Sequence, residues 1–78
     1  MNAVIPIHTN APWRGTLTPT EAEVLELLAA GLSNKEIGVE LYRCEQTVKF
    51  HITNIFIKLA VPNRVRAARW WWEKVERA

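Results

Sequence analysis

The stretch SNKEIGVELYRCEQTVKFHITNIFIKLAVPN, residues 33–63, decides the fold. It divides into a short helix opened by Ser33, a tight connection through Tyr42, Arg43 and Cys44, and a longer helix from Glu45 to about Ala60. On the longer helix Val48, Ile52, Ile55 and Leu59 recur at spacings of 4, 3 and 4. That interval gathers side chains into one apolar stripe. The opposite face presents Lys49, Phe50, Thr53 and Asn54, a basic, polar and apolar mixture suited to base edges in a DNA groove. Two helices joined and divided in this way form a helix-turn-helix, the second being its recognition helix.

Upstream, Thr18, Pro19 and Glu21 open another helix. Threonine at the N-cap and glutamate three residues on make a capping box, and proline suits the first helical position. Val24, Leu25, Leu28 and Leu32 supply its apolar stripe, and Gly31 ends it in a conformation with positive φ. Ser33 to Glu36 repeat the capping box for the short helix, whose Ile37 and Leu41 point inward. Its first turn, Ser33-Asn34-Lys35, also suits a phosphate. Gly38 lies inside this helix at a cost of about 1 kcal/mol relative to alanine, which suggests a place where two helices cross closely. Cys44 is a poor N-cap for the recognition helix.

Downstream, Val61-Pro62-Asn63 is a break with an N-cap asparagine, and a fourth helix is expected from Arg64 to about Glu76. Its Trp70-Trp71-Trp72 run fans over about 200°, so the three indoles cannot share one core. Ala68, Trp71 and Val75 lie together, with Val65 or Ala67 beside them according to phase. Trp70 is expected to point outward. An exposed indole near Arg66, Ala67 and Lys74 suggests an interface, most simply a twofold dimer contact between copies of this helix. The alternative is that the N-terminal segment folds over it. Residues 1–16, with Pro6, Pro12, Gly15 and no hydrophobic period, read as a flexible or loosely docked arm. In that arm Ile5, Ile7 and Trp13 are candidate anchors and Arg14 a candidate phosphate contact. The domain proper is then 17–78.

Composition narrows the function. A chain of 78 residues holds one domain at most, and 49% hydrophobic residues argue for a folded core. The net charge of +2 is small, but it is unevenly spread. Residues 1–45 carry three basic groups against six glutamates, and residues 46–78 carry seven against two. The positive half contains the recognition helix, as a nucleic-acid footprint requires. With one cysteine, two distant histidines and no aspartate, neither a disulfide, a metal site nor a catalytic constellation has the material it needs. Cys44 and His51 lack an orienting third group, so an enzyme is not expected, and no cofactor is implied. The N-terminus has no basic start followed by an apolar run, and no stretch approaches about 20 apolar residues. A cytoplasmic protein is the expectation.

Taken together, LTPTEAEVLELLAAGLSNKEI, TVKFHITNIFIKLAV and NRVRAA resemble the DNA-binding domain of LuxR/FixJ/NarL-type regulators from Leu17 to about Trp70. The resemblance implies an all-α, four-helix LuxR-type helix-turn-helix domain that regulates transcription and dimerises through helix four. Carried over by position, it places Lys49, Phe50 and Thr53 against bases, and Asn34, Lys35, Thr47, Asn54 and Lys58 against phosphates. His51 matches a recurrent histidine and is read as a positioning residue. The chain departs from the pattern at four places. Arg43 stands for an apolar residue, Cys44 for a capping serine, Ala60 for a terminal glycine, and Ile57 for a basic residue. Phe50 and Ile57 make an apolar pair on the outward face. The leading expectation is a stand-alone, sequence-specific regulator acting as a homodimer on double-stranded DNA, with no room for a receiver or ligand-sensing domain. The alternative is a module that binds a protein, such as RNA polymerase or a sigma factor, through Phe50/Ile57 or the Trp70–Trp72 cluster.

Overall fold

The computed structural model describes residues 15–77. Within them lie four helices and no strand: α1 (Pro19–Ala29), α2 (Asn34–Leu41), α3 (Glu45–Leu59) and α4 (Arg64–Arg77). The all-α, four-helix expectation holds, and the helix bounds fall within one or two residues of those read from the caps. The expected arm contacts of Ile5, Ile7, Trp13 and Arg14 lie outside the described residues.

Local chemistry starts the first two helices. Thr18 Oγ1 accepts from the Glu21 N–H at 3.1 Å while Glu21 Oε1 accepts from the Thr18 N–H at 3.0 Å. Ser33 and Glu36 repeat the exchange at 3.1 and 2.8 Å. Each box satisfies two of the donors that a helix start leaves unpaired. α3 has no such help: Cys44 makes no side-chain cap bond to the backbone. On α4, Asn63 Oδ1 accepts from the Arg66 N–H at 2.9 Å, as an N-cap does.

Three helices end in the same way. The pairs Gly31 N–H to Leu28 O with Leu32 N–H to Leu27 O, Tyr42 N–H to Val39 O with Arg43 N–H to Gly38 O, and Ala60 N–H to Ile57 O with Val61 N–H to Phe56 O are Schellman closures. Only the first puts glycine at the left-handed position. Tyr42 and Ala60 adopt φ of 57° and 56°, a conformation that costs an L-residue roughly 1–2 kcal/mol. The second closure also explains Gly38. A Cβ there would meet the Arg43 carbonyl oxygen at 2.6 Å. The close approach therefore comes from the turn after α2, not from a crossing helix.

α1 packs against α3 and α4, and α2 against α3. The core gathers Leu17, Val24, Leu25 and Leu28, Ile37 from α2, Val48, Ile52 and Ile55 from α3, and Ala67 and Trp71 from α4. Leu25, Ile37 and Ile55 are fully buried, each worth about 1.5–3 kcal/mol relative to exposure. Leu32, Leu41, Leu59 and Ala68 line the core's edge. The phase of α4 corrects two expectations. Ala67 is completely buried against the core, so it cannot take part in an outer interface. Trp70 is half-buried and packs on the core's flank rather than pointing out, because an indole is long enough to reach the core from the side of the helix. Among the three tryptophans Trp72 is the exposed one, and its Nε1 donates to the Ala29 carbonyl at 3.2 Å.

Candidate nucleic-acid interface

Val48, Ile52 and Ile55 fix the roll of α3 by burying one face of it, which leaves the opposite face in solvent. Lys49, Phe50, Thr53 and Ile57 are all exposed there, Phe50 to 63% and Ile57 to 71%. The three residues expected at bases are thus brought together on one face. Phe50 meets His51 edge-on, with ring centroids 5.8 Å apart and planes at 61°. His51 is half-buried. The Thr53 hydroxyl is turned back to the Lys49 carbonyl at 3.1 Å, a local bond common for threonine inside helices.

The residues expected at phosphates are spread more unevenly. Lys35 is exposed in the first turn of α2 and makes no ion pair among the described residues. Asn34 is half-buried, and its Oδ1 accepts from Arg64 Nη1 at 2.7 Å. Thr47 and Asn54 are half-buried at the edges of the α3 face. The Thr47 hydroxyl lies 3.1 Å from Cys44 Sγ. That contact is the largest of the influences that draw the exposed Cys44 thiol below its ordinary pKa.

Lys58 points elsewhere. Its Nζ lies 2.7 Å from Glu21 Oε1 on α1, so its charge is already neutralised within the fold. Glu21 is 5% exposed. Burial pushes its carboxyl upward, but the Lys58 hydrogen bond, the Thr18 N–H and the Lys58 charge outweigh it and hold it below the ordinary value.

One residue escaped the sequence reading. Arg64 donates from Nη1 to Asn34 and from Nη2 to the Leu32 carbonyl, both at 2.7 Å, tying the start of α4 to the α1–α2 connection. A cation in a helix's first turn opposes the helix dipole. That conflict was the available signal that Arg64 has acceptors outside its own helix. Arg64 borders a shallow depression shared with Gly31, Ser33, Asn34, Lys35 and Glu45.

On α4 Arg66 and Lys74 are exposed, and Lys74 Nζ sits 5.6 Å from the centre of the Trp70 ring. Val65, next to Arg66 at the start of the helix, is 76% exposed. Among the described residues no helix is long and apolar enough to cross a membrane.

Comparison with known proteins agrees with this geometry. The family described as bacterial regulatory proteins, luxR family, matches residues 15–71. Over 59 residues the chain is 52% identical to the transcriptional regulatory protein LiaR of Bacillus subtilis, covering 76% of this chain and 28% of that protein. It is 56% identical over 52 residues to LnrK of the same organism, also a transcriptional regulatory protein, covering 67% and 24%. It is 44% identical over 61 residues to the CsgBAC operon transcriptional regulatory protein of Escherichia coli, covering 78% and 28%. The chain therefore spans little more than a quarter of these relatives at most.

Proposed function

This chain belongs to the luxR family of bacterial regulatory proteins, and from that premise we propose that it binds double-stranded DNA sequence-specifically, with α3 in the major groove, and regulates transcription. The observation that carries this is the division of α3: Val48 and Ile55 are fully buried while Lys49, Phe50 and Thr53 stand together in solvent. Lys49 donates to guanine O6 or N7, and Phe50 meets a thymine methyl. Lys35 binds phosphate from the start of α2, with Asn34, Thr47 and Asn54 adding weaker backbone contacts that set register. Lys58, held by Glu21, contributes little. The domain's family is one of DNA-binding regulators and not an enzyme class. Its place of action is the cytoplasm, where bacterial DNA lies.

The functional unit is a homodimer on a partly palindromic site, joined through the outward face of α4 around the exposed Val65 and Arg66. The alternative of a module that docks on RNA polymerase or a sigma factor is not favoured. The relatives are named as transcriptional regulators, and the tryptophan cluster has internal duties: Trp71 in the core, Trp72 on the Ala29 carbonyl, Trp70 under Lys74. Selection of bound duplexes from a random library, repeated across a salt series, tests the proposal. A recovered site with a repeated half-site supports it. No salt-sensitive duplex binding at low ionic strength would sink it.

A further inference from the structure

The outward face of α3 has more apolar surface than base hydrogen bonding needs. Phe50, Thr53 and Ile57 follow one another at intervals of three and four residues, which aligns them on one side of the helix. Phe50 and Ile57 are 63% and 71% exposed. Between them the Thr53 hydroxyl is engaged by the Lys49 carbonyl at 3.1 Å, so the γ-methyl is the free group of that side chain. From residue 46 to residue 57 the helix carries no carboxylate, so nothing on this face repels phosphate. The apolar stripe is continuous with Lys49, on the same helix face.

In the major groove one base feature is matched by apolar side chains: the C5-methyl group of thymine. Resting on the DNA-binding reading above, we infer that Ile57, with Phe50 and Thr53, is a specificity-determining residue that selects thymine methyl groups. Ile57 lies seven positions after Phe50, about 10.5 Å along the helix at 1.5 Å per residue. Base pairs stack at about 3.4 Å. The two side chains are therefore spaced for thymines roughly three base pairs apart in each half-site, with Thr53 over the steps between. A basic residue at position 57 would add phosphate affinity without sequence choice. Isoleucine exchanges that gain for a methyl contact that only particular sequences provide.

The test uses the best duplex recovered from a random library, resynthesised with deoxyuridine in place of thymidine at one position at a time. Uracil keeps every hydrogen-bonding group and deletes only the methyl. Two positions about three base pairs apart in each half-site are expected to lose about fourfold in affinity each, the effect of one buried methyl-sized group. Ile57→Ala is expected to abolish the uracil effect at one of them and Phe50→Ala at the other. Both side chains are largely solvent-exposed, so the variants keep the fold, which circular dichroism checks. Equal affinity of the wild-type chain for the thymine duplex and the fully uracil-substituted duplex overturns the inference while leaving DNA binding intact. So does an Ile57→Ala variant that weakens thymine and uracil duplexes alike. Failure to recover any preferred duplex overturns the DNA-binding reading itself, and this inference with it.

Discussion

Replacing Lys58 by methionine removes the ammonium that lies 2.7 Å from Glu21 Oε1 and leaves a side chain only 6% exposed with a buried negative charge. The Thr18 N–H at 3.0 Å remains its partner. Breaking one side of a fully buried pair costs roughly 3–5 kcal/mol, whereas exposed pairs contribute about 0–1 kcal/mol. Here the carboxylate is buried but the Lys58 side chain is 39% exposed. Solvent screening at Lys58 and the surviving cap bond bring the expected loss to about 1–2 kcal/mol. Urea unfolding at pH 7 reads this directly, because the linear slope for a domain this small is near 1 kcal/mol/M and the midpoint should fall by about 1–2 M. The pH dependence has a definite sign. Glu21 titrates below its ordinary value in the folded chain, so the pair's stabilisation is present above the unfolded carboxyl pKa, near 4.3, and is lost as pH falls through the folded value. The gap between wild type and Lys58→Met should therefore close below about pH 4. Equal urea midpoints at pH 7, or a gap of unchanged size at pH 3, would refute the assignment of Lys58 to the fold. Duplex binding supplies a second readout. The variant should keep nearly all of its affinity and salt slope, since the lysine it loses was already paired.

Lys35→Ala should weaken binding to all duplexes alike and flatten the salt slope by about one, read by fluorescence anisotropy across a salt series. Lys49→Ala should relax preference at one base position at a cost of roughly 1–3 kcal/mol, seen as altered enrichment in a duplex selection. Ala60→Gly should raise stability by about 1 kcal/mol in urea, because it relieves the left-handed conformation at φ 56°. Gly38→Ala should destabilise by about 1–3 kcal/mol despite alanine's better helix propensity, since the new Cβ meets a backbone oxygen at 2.6 Å. Val65→Glu should shift sedimentation from dimer to monomer with helicity unchanged; a wild-type chain that is already monomeric would remove α4 as the dimer contact.

The helix-turn-helix was legible because its determinants are local. Thr18 with Glu21 and Ser33 with Glu36 announce helix starts three residues apart, and the α3 stripe repeats at a period that only a helix uses. The phase of α4 was not legible for an equally physical reason. Ala67 and Ala68 are adjacent and Trp70, Trp71 and Trp72 are consecutive, so more than one phase offers an apolar face, and packing on α1 decided that Ala67 goes inside with Trp71. Tyr42 and Ala60 carry no residue-level mark of positive φ; the Schellman hydrogen bonds impose it.

Charge was the least legible quantity. Counted along the chain, the recognition helix offers Lys49 and Lys58. Folding pairs Lys58 with a glutamate 37 residues away and commits Arg64 to acceptors 30 and 32 residues away. Such pairings follow from how helices cross, which no local pattern records. The consequence reaches function. A reader left with one unpaired lysine on α3 draws less of its affinity from counterion release than its sequence suggests. More of its discrimination must then come from contacts that do not depend on salt. The exposed stripe of Phe50, Thr53 and Ile57 is the surface on α3 able to supply them, so the preference for thymine should persist at ionic strengths that strip away binding to random duplex.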